Sequence, residues 1–205
     1  MYRLYGSPGS GSAAVEAALA EVGADHQVTV VKTSDGEHRT DAFRVINPRQ
    51  QVPALQLPDG SVMSEGAAML LHLADAFPAT RLAPLPGTSA RAQHDRWLIF
   101  MAVNIYEAEL RKAYCERYTD DAGGTKAVAS NADTYIKRHY AILEQAIGSG
   151  PHLFGAELSM ADIYLWTLAS WVDADWLARH CPKVARLAAI VRQRPLVAPI
   201  HAAHF

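Results

Sequence analysis

The sequence predicts an α+β protein in which a first part of alternating strands and helices is followed by a second part made only of helices. Up to about residue 78, short apolar runs of strand length alternate with helical stretches. Three prolines and a glycine then fall between Pro78 and Gly87, and no strand signal occurs beyond them. We therefore predict one domain over residues 1–78, a linker over 79–88 and a helical domain over 89–205.

The predicted elements of the first part follow the order β-α-β-α-β-β-α. Pro53 has no N–H to donate to a strand ladder, so it belongs at the start of a strand, here the run 54–57. Asp59-Gly60 is a hairpin signal that turns this strand into the next. The other strands are predicted at 2–5 and 26–31, and the helices at 12–22, at about 40–45 and from 65 to 77.

Helical periodicity dominates the second part. The segment from 89 to about 118 is predicted as one long helix or a broken one, because large apolar residues recur in it at helical spacing: Trp97, Phe100, Met101, Ile105 and Tyr106. Further helices are predicted at about 126–147, 160–171 and 183–194, with a shared core that contains Leu143, Ile147, Leu165, Leu168 and Leu187. Ser159 and Asp162 form a capping box, which we assign to folding.

Composition and charge exclude several functional classes. A net charge of -2 without any dense Lys/Arg cluster gives no electrostatic footprint for nucleic acid. No apolar run approaches the roughly 20 residues of a membrane span, and the first residues lack the apolar core of a signal peptide. We therefore expect a soluble, cytoplasmic chain with no nucleic-acid or membrane partner.

The cysteines and histidines do not indicate a metal site. Cys115 and Cys181 lack metal-ligand spacing, and we expect free thiols in a reducing compartment, with a disulfide between them as the open alternative. His201 and His204 are close enough in sequence to chelate a metal only if they lie on a helix. Because no Cys or carboxylate accompanies them, we interpret these two residues as part of a polar tail.

The most informative stretch runs from Asn47 to Leu55 and is followed by Ser64-Glu65-Gly66. Val52 precedes a proline and is therefore extended, which leaves its N–H and C=O free to pair with something other than the sheet. The helix that opens at Glu65 offers unpaired N–H groups to a carboxylate, and the Glu65 side chain offers an acceptor to an ammonium group. Together these features suit a short zwitterionic peptide.

These segments resemble the glutathione-binding half of glutathione S-transferases, most closely that of the bacterial beta class. The likeness begins at Leu4-Tyr5-Gly6-Ser7-Pro8-Gly9, continues through Asn-Pro-x-x-Gln-Val-Pro-Ala-Leu and Ser-Glu-Gly-x-Ala, and returns at Leu158-Ser159-Met160-Ala161-Asp162. The resemblance implies a thioredoxin-like first domain, glutathione as co-substrate and a small-molecule electrophile as second substrate. It also implies a homodimer, for which the helices at 65–77 and 89–106 are the candidate contacts.

The resemblance assigns residues to each end of glutathione. It implies a cis Val52–Pro53 bond, with Gln51, Val52 and Pro53 beside the cysteinyl segment. The γ-glutamyl end is expected at the Glu65 carboxylate and at the N–H groups of Glu65 and Gly66.

The chain departs from the family at the place where the thiol should be activated. Aligned on Ser7-Pro8-Gly9, the beta-class cysteine falls on Gly11, and the serine of the theta- and zeta-like classes falls on Gly9. Ser10 and Ser12 are the remaining hydroxyl donors to a thiolate, although either serine is also a candidate helix cap. We predict that Ser10 lies nearest the sulfur, because it precedes the helix between two glycines, and that Ser12 is the better cap.

A second departure lies in the long helix, where beta-class members carry His-Lys and this chain has Tyr106-Glu107. Tyr106 keeps a hydroxyl donor, which we expect to face the cleft and to assist catalysis. Asn104, Arg111 and Tyr118 are spaced by seven residues and would share one face of a regular helix, either a pocket wall or a solvated surface. We predict the pocket role for Tyr106 and Arg111, and the surface role for Tyr118.

The sequence therefore predicts a glutathione transferase that activates the glutathione thiol for attack on a small electrophile, with a role in detoxification. The alternative is a non-catalytic glutathione-binding or scaffold protein, because neither Gly9 nor Gly11 carries an activating side chain. A thioredoxin-like oxidoreductase is disfavoured, since residues 1–78 contain no cysteine.

Overall fold

The computed structural model describes residues 1–205 and begins with a four-stranded mixed sheet. Its strands are β1 (Tyr2–Gly6), β2 (His26–Val30), β3 (Ala54–Gln56) and β4 (Val62–Met63). The spatial order is β2-β1-β3-β4, with β1 parallel to β2 and antiparallel to β3, and β3 antiparallel to β4. The parallel pair needs a crossover, which α1 (Ser12–Glu21) supplies.

Two further helices complete the first part of the chain. They are α2 (Asp41–Ile46) and α3 (Gly66–Ala76). Half of the residues of α1 are alanines, and most of the helix is buried. Because these side chains are small, α1 packs closely against α3 on one side and against the second part of the protein on the other. This packing sets the start of α1 beside the boundary between the two parts.

The second part is entirely helical. Its helices are α4 (Ser89–Phe100), α5 (Glu107–Ala113), α6 (Thr125–Ala146), α7 (Met160–Ala169), α8 (Ala174–His180), α9 (Pro182–Arg192) and α10 (Ala198–His204). A π-helical turn over Met101–Tyr106 joins α4 to α5, so the segment predicted as one long or broken helix is a broken one. Such turns are rare in helices and often occur at functional sites.

A single hydrophobic core of 43 buried residues runs through both parts, from Leu4 in β1 to Ile200 in α10. The helical core residues predicted from the sequence are all among them. Asp162 begins α7 as expected: its carboxylate accepts from the N–H of Ser159 at 2.7 Å, from the Ser159 hydroxyl at 2.6 Å and from the N–H of Leu153 at 2.7 Å. The capping box is therefore a buried folding element.

The predicted α+β fold class, with its thioredoxin-like first domain, is confirmed, and the exact domain limits stay predictions.

Two helices were missed. Asp173 caps α8 by accepting from the N–H of Trp176 at 2.7 Å, a signal that the sequence carried. The interpretation of the chain end as a polar tail is wrong, because it forms α10, in which His204 Nε2 lies 3.0 Å from a Glu16 carboxylate oxygen. No helix is long and apolar enough to cross a membrane.

Candidate active site

Two adjoining clefts lie between the first part of the protein and the helical part. The larger cleft, of about 820 Å³, is bounded by the loop after β1, the segment before α2, one face of α5 and Trp171. The smaller cleft, of about 590 Å³, is bounded by the turn before β3, the start of α3 and the π-helical turn. Five residues line both clefts: Gly11, Gln51, Val52, Tyr106 and Leu110. These shared residues mark the junction where a ligand could reach into either cleft.

Tyr106 fills the space above Gly11 at this junction. A Cβ atom built on Gly11 would lie only 2.6 Å from the Tyr106 hydroxyl oxygen, so any side chain at position 11 would displace the phenol ring. The ring is held by Tyr164, stacked on it at 6.3 Å, and by Trp171, edge-on at 5.3 Å. Trp171 in turn donates from Nε1 to the carbonyl of Gly9 at 3.0 Å. The phenol is therefore fixed against the backbone of the first loop.

The surroundings of Tyr106 keep its hydroxyl protonated. Burial raises the pKa of Tyr106 to about 12, and the negative charge of Glu65 acts in the same direction. A neutral phenol in this position can donate its hydrogen to an anion in the cleft.

The turn before β3 presents an unpaired backbone edge to both clefts. Asn47 is buried and pins this turn, because its side-chain amide donates to the carbonyl of Gln51 at 2.7 Å and accepts from the N–H of Arg49 at 3.1 Å. The Val52–Pro53 bond is cis, as predicted. Val52 lies outside the strands, and its N–H and C=O make no hydrogen bond within the protein. A peptide lying along this edge would satisfy both groups.

The start of α3 supplies charge recognition in the smaller cleft. Glu65 has a positive φ of 70° with ψ of 100°, a backbone conformation that is uncommon for residues other than glycine and that clusters at active sites and ligand clamps. The N–H groups of Gly66, Ala67 and Ala68 have no backbone acceptor and line the cleft. The Glu65 carboxylate is more than half exposed and forms an ion pair with Arg49. This end of the cleft therefore offers a carboxylate, a guanidinium group and a helix N-terminus to a zwitterion.

The larger cleft carries mostly positive charge. His38, Arg39, Lys112 and Arg117 line it, and Glu109 is its one carboxylate. Glu109 Oε1 is buried without a hydrogen-bond partner, and burial raises the pKa of Glu109 to about 7. No group of three or more His, Cys, Asp or Glu side chains is placed to hold a metal ion.

Sequence comparison identifies the family. Residues 12–76 match the family model of the glutathione S-transferase N-terminal domain, and residues 126–198 match that of the C-terminal domain. The chain is also 30% identical over 197 residues to the uncharacterised GST-like protein YncG of Escherichia coli K12, an alignment that covers 95% of this chain and 94% of YncG. The chain belongs to the glutathione S-transferase family.

Solved structures of glutathione S-transferases agree with this assignment. A glutathione transferase homologue from Sulfitobacter, crystallised with bound glutathione, superposes with a TM-score of 0.90 at 27% identity and covers 98% of this chain and 97% of its own. The bacterial beta-class enzyme of Sphingomonas chungbukensis gives a TM-score of 0.80 at 30% identity, with 98% of both chains covered. The predicted family, and glutathione as its co-substrate, are confirmed.

The two serines of this glutathione S-transferase occupy different positions relative to the cleft. Ser10 lines the larger cleft, and its hydroxyl donates to the carbonyl of Ser7 at 2.7 Å. Ser12 is 1% exposed, lines neither cleft and bonds through its hydroxyl to the backbone of Ser7. The prediction that Ser12 caps α1 is wrong, because it is the first helical residue and its own N–H is bound by the Ser10 hydroxyl at 3.2 Å. Ser12 therefore lies behind the cleft wall in the free protein, and its catalytic role stays a prediction.

Arg111 lines neither cleft, so the structure does not place it with the other predicted pocket residues. Its guanidinium group lies 5.2 Å from the ring of Tyr135 on α6, and its Nε is 3.5 Å from a Glu107 carboxylate oxygen. Asn104 faces the same way, because its side-chain oxygen accepts from the Tyr135 hydroxyl at 2.8 Å. Tyr118 lies outside α5 and donates to Glu107 at 3.3 Å, in agreement with the predicted surface role.

Several residues at the clefts were not predicted from the sequence. Trp171 closes one end of the larger cleft, Arg49 faces Glu65, and Glu109 follows Tyr106 by one helical turn. The spacing of Tyr106, Glu109, Leu110 and Ala113 on one helix face was readable from the sequence. The position of Trp171 was not, because it depends on how α7 packs against the first loop.

We predict that Glu109 makes stability fall as the pH rises. Its pKa is raised from 4.5 in an unfolded chain to about 7 in the folded protein, mainly because burial disfavours the charged carboxylate. The positive charge of Lys112 lowers this pKa by less, and the negative charge of Asp133 raises it further. The folded state therefore holds the proton more tightly than the unfolded state does. The resulting contribution to the free energy of unfolding is fully present below pH 4.5 and is lost as the pH rises through 7. The loss should be on the order of 2 kcal/mol, allowing for the partial exposure of Glu109.

Urea unfolding of the wild type and of Glu109→Gln at pH 4.5 and pH 7.5 checks this prediction. The glutamine variant should match the wild type at the lower pH and exceed it at the higher pH. An equal difference between the two proteins at both pH values would contradict it.

Proposed function

We propose that this protein lowers the pKa of the glutathione thiol and directs the thiolate at a small electrophile held in the larger cleft. The observation that carries this proposal is the Tyr106 hydroxyl, which lies over Gly11 at the junction of the two clefts and beside the unpaired backbone of Val52. A cysteinyl residue paired with Val52 would bring its sulfur to this junction. The electrophile would then approach from the larger cleft.

In this proposal the smaller cleft holds the γ-glutamyl end of glutathione. The ammonium group pairs with Glu65, and the carboxylate meets the N–H groups at the start of α3 and the guanidinium group of Arg49. Gln51, Val52 and Pro53 lie along the cysteinyl segment. The free chain already pairs Arg49 with Glu65, so a zwitterion would replace one ion pair with two of the same kind.

Thiolate formation needs a donor that is protonated at neutral pH and free to point at the sulfur. Tyr106 meets both conditions, because its pKa is raised to about 12 and its hydroxyl donates to no protein group. A hydrogen bond to a charged partner is worth about 1.5–3 kcal/mol, or about one to two units of thiol pKa. Ser10 stays a candidate donor, although its hydrogen is directed to the Ser7 carbonyl and must turn away to reach a sulfur.

A non-catalytic glutathione-binding protein is the second candidate function. It is favoured by the absence of a side chain at both positions where the family activates the thiol, Gly9 and Gly11. Binding would then use the same contacts without turnover. For the catalytic reading we infer a cytoplasmic role in detoxification, because both cysteines are free thiols and the reaction consumes reduced glutathione.

We predict that Tyr106→Phe removes thiol activation and leaves glutathione binding nearly intact. The phenylalanine ring preserves the packing on Tyr164 and Trp171 and deletes only the donor. The pKa of the bound thiol should rise by about one to two units, and turnover at neutral pH should fall about 10- to 100-fold. The measurements are the ultraviolet absorbance of the thiolate and the pH dependence of kcat/KM.

Ser10→Ala is the matched comparison for Tyr106→Phe, because it deletes the other hydroxyl that we consider as a donor to the sulfur. If the serine variant loses activity and the phenylalanine variant does not, Ser10 is the activating residue. Glutathione binding without turnover of any electrophile by the wild type would support the non-catalytic function instead.

We predict that Glu65→Gln weakens glutathione binding about tenfold or more, since a charge-assisted hydrogen bond to the ammonium group is lost. Because the side chain is 61% exposed, the variant should retain the stability of the wild type. Calorimetric titration with glutathione measures the affinity, and thermal unfolding provides the control. An unchanged dissociation constant would show that Glu65 only complements the dipole of α3.

We also propose a homodimer in which the first domain of one copy lies against the helical domain of the other. Ile99 and Val103 support it, because they are 47% and 56% exposed on one helix face at the rim of the smaller cleft. Sedimentation should give twice 22.3 kDa at micromolar concentration, and Val103→Asp should shift it towards the monomer. Val45→Asp is the control, since Val45 is 88% exposed on α2 and outside the clefts. A wild-type monomer would refute the dimer.

A further inference from the structure

Glu109 lies one helical turn beyond Tyr106 on the wall of the larger cleft. Tyr106 directly precedes α5 with helical backbone angles, so the two residues follow each other on one helix face. Side chains three residues apart on a helix are neighbours, with about 5–6 Å between their Cβ atoms. The carboxyl group therefore stands beside the position at which the Tyr106 hydroxyl would meet a bound thiol, on the wall that the electrophile would contact.

The protein itself does not use the Glu109 carboxyl group. Its Oε1 is buried without a hydrogen-bond partner, and its Oε2 is accessible and likewise makes no hydrogen bond or ion pair. Lys112, one residue triplet further along α5, is instead bound to Asp133 on α6 at 2.7 Å. Because a buried polar atom without a partner destabilises the folded state, a carboxyl group kept in this condition at a cleft wall indicates a functional role.

The surroundings of Glu109 keep part of it protonated at neutral pH. Burial is the main cause that raises its pKa to about 7; Asp133 on α6 acts in the same direction, and Lys112 opposes both. Tyr140 on α6 is fully buried and uncharged, and it lies within electrostatic reach, since Glu109 raises the pKa of Tyr140. Three cationic or titratable groups line other walls of the cleft: His38, Arg39 and Arg117. A carboxyl group with a pKa near the operating pH is suited to donate a proton in a reaction.

We propose that Glu109 is the general acid for electrophiles that contain an α,β-unsaturated carbonyl group. The inference deepens the proposed function and rests on it, because the nucleophile is the glutathione thiolate. The sulfur forms a bond to the β-carbon, the electron pair of the carbon–carbon double bond moves towards the carbonyl carbon, and the carbonyl oxygen takes the proton of Glu109. The products of this step are an enol and the Glu109 carboxylate.

A second step restores the carboxyl group. The enol takes a proton from water at its α-carbon, and its hydroxyl proton returns to the Glu109 carboxylate. The proton that the thiol released to solvent when the thiolate formed offsets the proton taken up at the α-carbon. Glutathione and the enone thus combine without any other reactant.

The position of Glu109 favours this class of electrophile over aryl halides. When a thiolate displaces a halide from an aromatic ring, the halide leaves as an anion and no oxygen needs a proton. In an enone, the oxygen that becomes negative lies several bonds away from the carbon that is attacked. A donor one helical turn from Tyr106 matches that separation.

The test compares Glu109→Gln with the wild type on two acceptors, 4-phenyl-3-buten-2-one and 1-chloro-2,4-dinitrobenzene. Glutamine preserves the shape of the side chain and cannot transfer a proton at neutral pH. Glu116→Gln is the control, because Glu116 is exposed on the turn after α5 and lines neither cleft. The readout is kcat/KM of the enone divided by kcat/KM of the aryl halide, which cancels the common dependence on the thiolate. Where only the enone reacts, its own kcat/KM replaces the ratio.

We expect Glu109→Gln to lower this ratio at about pH 6 by about tenfold or more, and the control to keep the wild-type ratio. In the wild type the ratio should fall as the pH rises through about 7, because the carboxyl group loses its proton there. In Glu109→Gln it should not change with pH. A merely structural role of Glu109 would not produce this loss of the pH dependence.

Two outcomes would overturn the inference while leaving the proposed function intact. One is turnover of the aryl halide with no reaction of the enone. The other is a ratio that the substitution leaves unchanged or that does not depend on pH in the wild type. Turnover of neither acceptor would refute the inference and the proposed function together.

Discussion

The contact between the Tyr106 ring and the backbone of Gly11 is the constraint on which the arrangement of this site depends. It joins the π-helical turn of the second part to the first turn of α1, and it requires that position 11 carry no side chain. Trp171 fixes the ring from the side and binds the carbonyl of Gly9, so the same loop is held twice. The two clefts meet at this contact, because Tyr106 and Gly11 line both of them.

Around this contact, the proposed binding groups are of two kinds: backbone groups that are held by buried hydrogen bonds, and charged side chains that are exposed. The Asn47 side chain fixes the turn that carries Val52, and the buried capping box at Asp162 fixes the start of the helix that carries Tyr164. The charged groups at the rims, Glu65 and Arg49 at one end, are more than half exposed. In the proposed complex, the fixed backbone would hold the reacting atoms in place while the exposed charges pair with the ends of the peptide.

Much of the fold was predictable from the sequence because it depends on local signals. Pro53 marked the start of β3, Asp59-Gly60 marked the hairpin, and the apolar spacing of the second part marked its long helices. The position of Arg111 away from the clefts has a geometric cause: it follows Tyr106 by five residues, about 140° around an α-helix, and therefore points at α6. Asn104 and Arg111 do share a face, as their spacing by seven predicts, but that face packs against Tyr135 on α6. The depth of Tyr106 could not be read from the sequence, because it follows from packing between distant segments.

The close approach at Gly11 also limits how this sequence can change. Even an alanine at position 11 would bring its Cβ into the Tyr106 hydroxyl at 2.6 Å, and a cysteine would collide more severely. A cysteine introduced at this position therefore requires the ring at 106 to move or to be replaced by a smaller side chain. The effects of substitutions at positions 11 and 106 on stability are consequently coupled. A side chain at position 11 is better accommodated after residue 106 has been replaced by a smaller one than before.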